Sequence, residues 1–191
     1  GGGGVGNIGT QQNGFCLFTP EKYELTIYEM GLCTSHPITG TTGNLTYDKS
    51  SCITTMSSTS GQTVDLAGGN ALANLPSGER PPSNSYDYAY ILISNNFKLK
   101  GSYELNNGTT YYSKPAEDEF GAYGAADSSL SEAQEHNELL DDLGFGETWS
   151  GEMSAQTMAG GGKVSAILLQ EDNLTKATGR GNVKRLLGAF E

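Results

Sequence analysis

The stretch YDYAYILI, residues 86–93, limits the possible folds of this chain more than any other. It is apolar or aromatic on both faces of a strand: one face carries Tyr86, Tyr88, Tyr90 and Leu92, and the other carries Ala89, Ile91 and Ile93. Such a strand needs a covering layer on each side, as strands in the middle of a β-sandwich have. The sequence therefore predicts a central strand here.

Further strands are predicted before and after it. The run KYELTIYEMGLC (22–33) alternates until its apolar set slips by one position, which predicts a bulge or bend near Glu29. The segment NNG (106–108) predicts a hairpin turn between NFKLKGSYEL and TTYYS. The other strand predictions are CITTM (52–56), QTVDLA (62–67), KVSAILLQ (163–170) and VKRLLGAF (183–190). Roughly eight or more short strands separated by turns predict a mainly β chain, an antiparallel and jelly-roll-like β-sandwich.

Residues 115–152 form an acidic insertion in this pattern. They hold 11 of the chain's 22 acidic residues and no Lys or Arg. Ser129 and Glu132 have the spacing of a capping box, and an apolar stripe follows that ends at Gly144. The sequence predicts one inserted acidic surface helix at about 129–143.

Composition and charge exclude several classes of function. The formal net charge is -11, so phosphate backbones and anionic lipid surfaces would be repelled, and neither nucleic acid nor a membrane is predicted as a partner. No segment reaches the roughly 20 apolar residues that a membrane-spanning helix needs. The chain begins with Gly and not with Met, so either a signal or pro-segment has been removed or the sequence is only part of the chain. We prefer the first interpretation, which predicts a processed, exported and extracellular protein.

The three cysteines agree with export. Cys33 and Cys52 flank a loop rich in Gly, Thr and Ser, and a disulfide between them would close about 20 residues and stabilise the fold by about 3 kcal/mol. Cys16 is then unpaired within the chain, and it is either a buried thiol or a bond to another chain. The alternative is three reduced thiols in a cytosolic protein.

The order of the predicted strands and the cysteines along the chain resembles that of one group of proteins. A strand leads to Cys33, a loop returns to Cys52, and V-D-L-A and a Tyr-rich strand then precede N-F-K-L-K-G. Over residues 22–101 this order resembles uncharacterised secreted β-sandwich proteins of prokaryotes. The resemblance implies a fold and export, and it supplies no function.

The chain opens with a glycine-rich segment in which residues 4–9 spell G-x-G-x-x-G. A dinucleotide-binding loop needs a strand before it and a helix after it, and this segment predicts neither. We interpret residues 1–17 as a flexible N-terminal arm and residues 18–191 as a single β-sandwich domain with the acidic insertion.

Few residues indicate chemistry. His36 and His136 lie in no recognisable catalytic frame and are predicted to be solvated surface residues. The clusters at 117–119 and 141–142 leave calcium open, although a solvated acidic face is the simpler interpretation, and no cofactor or metal is predicted. The sequons at Asn44, Asn107 and Asn173 leave glycosylation open.

The preferred hypothesis is a non-enzymatic structural subunit that polymerises with copies of itself into an extracellular filament or appendage. Strand exchange between subunits would supply the contact. The candidate donor strands are the N-terminal arm, through Val5, Ile8, Phe15 and Leu17, and KVSAILLQ, through Val164, Ile167 and Leu169. One alternative is a virion structural protein, such as a capsid decoration. A second is a carbohydrate-binding or glycosidase domain in which the tyrosines of 86–90 stack on sugars.

Overall fold

The structure, a computed structural model, describes residues 20–67, 81–83, 85–115, 126–144, 148–158 and 161–191. These ranges contain thirteen strands, one short 3-10 turn at Arg180–Asn182 and no helix of seven or more residues. The strands are β1 (Lys22–Cys33), β2 (Ile38–Thr39), β3 (Thr46–Tyr47), β4 (Cys52–Asp65), β5 (Tyr88–Ser94), β6 (Asn96–Lys100), β7 (Ser102–Glu104), β8 (Thr110–Ser113), β9 (Ala126–Asp127), β10 (His136–Leu139), β11 (Glu152–Thr157), β12 (Lys163–Leu169) and β13 (Arg185–Phe190). The predicted mainly β, antiparallel class is confirmed, and the arrangement is consistent with a β-sandwich.

The described residues group into two compact units. The first unit contains 20–25, 65–67, 97–115 and 126–139, and the second contains 26–64, 81–83, 85–96, 140–144, 148–158 and 161–191. Strand β1 begins in the first unit and continues in the second. The predicted arm, 1–17, lies outside the described residues, and the single domain over 18–191 stays a prediction.

The second unit is built on one antiparallel sheet in the order β4-β1-β5-β13-β12-β11. β5 lies between β1 and β13, with Met30 opposite Ile91 and Leu187 opposite Leu92, so the predicted central strand is confirmed. The register of β1 against β5 shifts between Ile27 and Glu29, where the sequence predicted the bulge.

The core of the second unit lies on both faces of this sheet. One face carries Tyr90, Leu92, Ile167, Leu169 and Leu187, which pack with Ile38 and Leu45 from the loop between the paired cysteines. Because side chains alternate along a strand, Leu168 points to the other face, where it packs with Ala177, Val183 and Trp149. The sheet is therefore covered on both faces, as the sequence predicted for its strand 86–93.

The first unit contains two small ladders. The start of β1 pairs with β6, Lys22 opposite Lys100, and β6 also pairs with β10. The second ladder is β7-β8-β9, and its β7–β8 hairpin confirms the predicted turn. An Asn-Gly turn of the common hairpin type has positive φ at both central residues. Here only Gly108 has it, at 82°.

The inserted acidic helix predicted at 129–143 is wrong. Residues 136–139 form strand β10, and the Ser129 hydroxyl donates to Asp127 Oδ1 (2.7 Å). A helix would have placed Glu132, Glu135 and Glu138 three residues apart on one face, where like charges destabilise it. Glu135 instead accepts a hydrogen bond from the Lys22 ammonium (2.5 Å), and Glu138 lies 3.0 Å from His136.

Two strands predicted separately, CITTM and QTVDLA, are one. β4 runs continuously over 14 residues and passes through Gly61 at φ +79°. A Cβ at Gly61 would lie 2.3 Å from the Thr26 methyl group, so glycine meets both the backbone and the packing requirement there.

Candidate functional site

Within the described residues, one sheet edge of the second unit lacks the usual protection against strand addition. β4 reads CITTMSSTSGQTVD, and residues 52–64 contain no charged residue and no proline. In the described part of the chain, β1 is the strand that pairs with β4. Native edge strands are commonly short, charged, interrupted by proline or covered, because an unpaired edge can accept another strand. We call residues 52–64 the open edge.

Side-chain hydrogen bonds and buried residues fix the open edge to the rest of the sheet. Thr54 Oγ1 lies 2.9 Å from the Tyr90 hydroxyl, and the Thr55 hydroxyl donates to the Met30 carbonyl (3.2 Å). The side chains of Met56 and Val64 are buried. At its start, Cys52 forms the predicted disulfide with Cys33, whose side chain is fully buried.

The opposite edge of the same sheet, strand β11, is less regular than the open edge. The register of β11 against β12 is irregular between Met153 and Gln156, which marks a bulge. The Ser154 N–H donates to Thr42 Oγ1 (3.1 Å), and the Thr42 hydroxyl donates to Ser154 Oγ (2.9 Å). The irregular register and these local contacts make β11 a poorer acceptor than the open edge.

The bulge in β1 places a carboxylate beside the core. Glu29 Oε1 accepts hydrogen bonds from the Tyr90 hydroxyl (2.5 Å) and from the Lys49 ammonium (2.7 Å). Burial raises the pKa of Tyr90, and its hydrogen bond to Glu29 raises it further. Burial and the charge of Glu29 likewise raise the pKa of Tyr47. Both phenols therefore stay protonated, and Tyr90 donates to Glu29 as a neutral group.

A depression of about 230 Å³, which we call the surface pocket, lies next to this carboxylate. Leu92 and Leu187, which are opposite each other on β5 and β13, belong both to the core and to the pocket lining. Its remaining lining residues are Glu29, Tyr47, Lys49, Asp172, Asn173 and Leu174. The pocket thus combines an apolar part with carboxylate, amide, ammonium and phenol groups.

A second carboxylate ties the disulfide-closed loop to β11. Glu152 accepts from the Leu45 N–H (3.0 Å) and from the Lys176 ammonium (2.5 Å). Burial alone would raise the pKa of Glu152, but the Leu45 N–H and Lys176 outweigh it and hold the pKa below its ordinary value. Lys176 also donates to the Leu45 carbonyl, so the three residues form one closed polar cluster.

The predicted strand donors fall into two groups. Val5, Ile8, Phe15 and Leu17 of the arm lie outside the described residues, as does Cys16. Val164, Ile167 and Leu169 belong to β12, which pairs with β11 on one side and with β13 on the other. Donation of β12 to another subunit would break both ladders and expose Ile167 and Leu169, which are buried in the core.

The histidines differ from their prediction. His136 is 1% exposed, and its Nε2 lies 3.0 Å from Glu138 Oε2, so the prediction of a solvated surface residue is wrong. Its position in β10, and not on the polar side of a helix, explains the burial. His36 is half-buried, accepts the Ile38 N–H at Nδ1 (3.0 Å) and makes an edge contact with Tyr88.

The acidic clusters and the tyrosine row have structural partners. Asp142 accepts the N–H groups of Gly144 and Ser150 and pairs with Arg180, while cluster 117–119 lies outside the described residues. No group of three or more His, Cys, Asp or Glu that could hold a metal ion occurs in the described ranges. Tyr90 is 2% exposed, so it packs in the core and is not part of a sugar-stacking surface.

Sequence reasoning missed the surface pocket. The signal that could have located it is the slip at Glu29, because a bulge redirects a side chain that regular alternation would place elsewhere. Tyr47 and Asn173 carry no such signal, since they come from a short hairpin and a turn far apart in sequence.

Within the described ranges, no helix has the length and apolarity that crossing a membrane requires. Comparison of the chain with protein-family models, with curated protein sequences and with solved structures finds no match.

Proposed function

We propose that this protein is a non-enzymatic structural subunit that assembles with copies of itself into an extracellular filament or appendage. The contact is strand addition at the open edge of β4. The observation that carries the proposal is a 13-residue stretch of edge strand, 52–64, without charge or proline, in a chain of net charge -11. Main-chain hydrogen bonds along such an edge supply affinity, and alternate side chains supply specificity.

The N-terminal segment of another copy is the donor that fits this edge best. Residues 1–20 contain no charged side chain, and the first charged residue is Glu21. Two uncharged segments can pair without opposing carboxylates, which most other surfaces of so acidic a chain would bring together. Phe15 and Leu17 alternate as a strand's apolar face does, and their donation requires no rupture of the β12 ladders.

Arm-to-edge addition is a head-to-tail contact. The donor and acceptor surfaces are different parts of the subunit, so the contact propagates into a filament wherever its rotation does not close a ring. The Cys33–Cys52 disulfide supports an exported appendage over a virion component, because virions usually assemble in a reducing cytoplasm.

Electron microscopy and light scattering of the purified chain test the proposal. We expect ordered polymers from the intact chain and only small particles after removal of residues 1–17. Ser57→Glu with Thr59→Glu, two exposed positions on the open edge, should also abolish polymers by placing charge in the new ladder.

Thr157→Glu, an exposed position on β11, is the matched control and should leave polymers intact. Circular dichroism must show that every variant keeps the unfolding profile of the parent chain. Polymers that survive both the deletion and the Ser57 and Thr59 changes would contradict strand addition at β4. A monomeric intact chain would contradict the subunit role altogether.

A further inference from the structure

The surface pocket of the second unit points to a binding function that is separate from assembly. Its exposed apolar surface comes from Leu174, which is 75% exposed, because Leu92 and Leu187 in the lining are 6% and 0% exposed. The ring of Tyr47, with its centroid 6.4 Å from that of Tyr90, lines the pocket too. Ligand pockets typically combine an apolar lining with a few fixed polar groups, and this one has that composition in about 230 Å³.

The polar groups of the pocket are held in position before any ligand arrives. Glu29 is fixed through Oε1 by Tyr90 and Lys49, while Oε2 has no hydrogen-bond partner among the described residues. Asp172 Oδ1 accepts the N–H groups of Leu174 (3.0 Å) and Thr175 (2.8 Å), which fixes the turn on the other side.

Asn173 is also held in position before any ligand arrives. Its backbone is left-handed, with φ 63°, and its Oδ1 accepts a hydrogen bond from Arg185 Nε (3.1 Å). The guanidinium of Arg185 is itself stacked 3.9 Å above the ring of Tyr28. The Asn173 amide nitrogen, a donor of two hydrogen bonds, has no partner in the described ranges.

The balance of charge and size narrows the ligand class. Two carboxylates, Glu29 and Asp172, line a pocket in a chain of charge -11, so an anion is disfavoured. The Lys49 ammonium pairs with Glu29 (2.7 Å), and both oxygens of Asp172 already accept hydrogen bonds from residues 174 and 175, so the lining offers no free pair of carboxylates to a cation. The volume is too small for a peptide strand or helix. A neutral ring with an apolar face and several hydroxyl groups satisfies all of these conditions.

We propose that the surface pocket binds one pyranose unit of a neutral glycan. The apolar face of the sugar lies over the Tyr47 ring and Leu174, its hydroxyls donate to Glu29 Oε2, and they accept from the Asn173 amide and from Lys49. A ligand of this size bound in one shallow site has an expected Kd of about 1 mM.

Saturation-transfer-difference NMR of the full-length protein tests this site, because the method observes the sugar and works on monomers and polymers alike. The probes are the methyl glycosides of glucose, galactose, mannose and N-acetylglucosamine. At least one should give a saturable signal, and Glu29→Gln and Asn173→Gly should each weaken it by about tenfold, the loss of one hydrogen bond. Glycine keeps the left-handed backbone at 173 and removes only the amide.

Glu191→Gln is the matched control for Glu29→Gln. It removes the same charge from a pair with Lys163 (2.9 Å) outside the pocket lining, and it should leave the signal unchanged. The proposal is overturned if none of the four glycosides gives a saturable signal at concentrations well above the expected Kd. It is also overturned if neither pocket variant weakens the signal. Polymer formation is measured separately, so failure here leaves the proposed assembly role intact.

Discussion

Glu152→Gln tests whether one buried carboxylate fixes the disulfide-closed loop onto the sheet of the second unit. The substitution keeps the side-chain shape and removes the charge. Glu152 accepts from the Leu45 N–H at 3.0 Å and from Lys176 at 2.5 Å. A hydrogen bond to a charged group contributes about 1.5–3 kcal/mol and one between neutral groups about 0.5–1.5 kcal/mol, so each contact loses about 1 kcal/mol.

The contact with Lys176 counts for less than the contact with Leu45, because the lysine side chain is 43% exposed and water replaces part of what it loses. The total expected loss of unfolding free energy is therefore about 1.5–2 kcal/mol. For a chain of this length that loss corresponds to a fall in Tm of about 3–8 °C. Urea titration and thermal unfolding at neutral pH measure both quantities.

The same substitution has a defined pH dependence. The pKa of Glu152 is lower in the folded state than in the unfolded state, where it is about 4.3. The contribution of its charge to the free energy of unfolding is therefore fully present above a pH of about 4.3, and it is lost as the pH falls through the lower, folded-state pKa. The difference in unfolding free energy between the parent chain and Glu152→Gln should thus be largest near neutral pH and decrease in acid. Equal Tm values at neutral pH, or a gap that stays constant into acid, would refute this account of the Glu152 cluster.

Three further variants and one control probe the second unit. Replacing Cys33 and Cys52 with serine removes the closure of a loop of about 20 residues and should cost about 3 kcal/mol, measurable in urea and matched by reduction of the parent chain. Gly31→Ala would bring a Cβ to 2.3 Å from the Tyr90 ring and 2.6 Å from a backbone carbonyl, so we expect a loss of about 1–3 kcal/mol. Gly179→Ala, with no atom within 4 Å of the added Cβ, is its control and should change Tm little. Tyr90→Phe leaves a carboxylate without its 2.5 Å phenol donor and should lower unfolding free energy by about 1–3 kcal/mol, whereas an unchanged denaturant midpoint would contradict the assigned hydrogen bond.

The strands were predictable wherever burial left a regular pattern of apolar residues. Residues 86–93, KVSAILLQ and VKRLLGAF were identified because both faces of β5, β12 and β13 are covered, which requires nearly continuous apolar runs. The bulge near Glu29 was predictable for the same reason, since a slipped pattern in a buried strand has to be corrected locally.

The acidic segment shows where local pattern fails. A capping-box spacing and an apolar stripe are weak local preferences, and in residues 126–144 pairing of β10 with β6 determines the structure. The sequence shows the stripe but not the partner strand, which lies some 40 residues earlier in the chain. Burial of His136 follows from that same long-range pairing, so it was equally inaccessible to pattern reasoning.

Of the two candidate sites, the open edge could be predicted from the sequence and the surface pocket could not. The open edge depends on composition, because the absence of charge in 52–64 can be read from the sequence once β4 is known to be an edge. The surface pocket depends on register, since Leu92 and Leu187 become neighbours only through the β5–β13 ladder. Sequence separation of nearly 100 residues hides that relation from any local pattern.

The two proposals reinforce each other physically while remaining independently testable. A single pocket of about millimolar affinity retains a glycan only briefly. Subunits joined through the open edge would repeat the pocket once per copy along a filament, and a repeated weak site can gain about 10²–10⁴ in overall avidity on a repetitive glycan. The Ser57 and Thr59 variant separates the two effects: it should keep the Kd for a methyl glycoside and lose retention on a polysaccharide surface. Loss of both together would mean that the pocket depends on the neighbouring subunit, and equal retention by monomer and polymer would remove assembly from the binding mechanism.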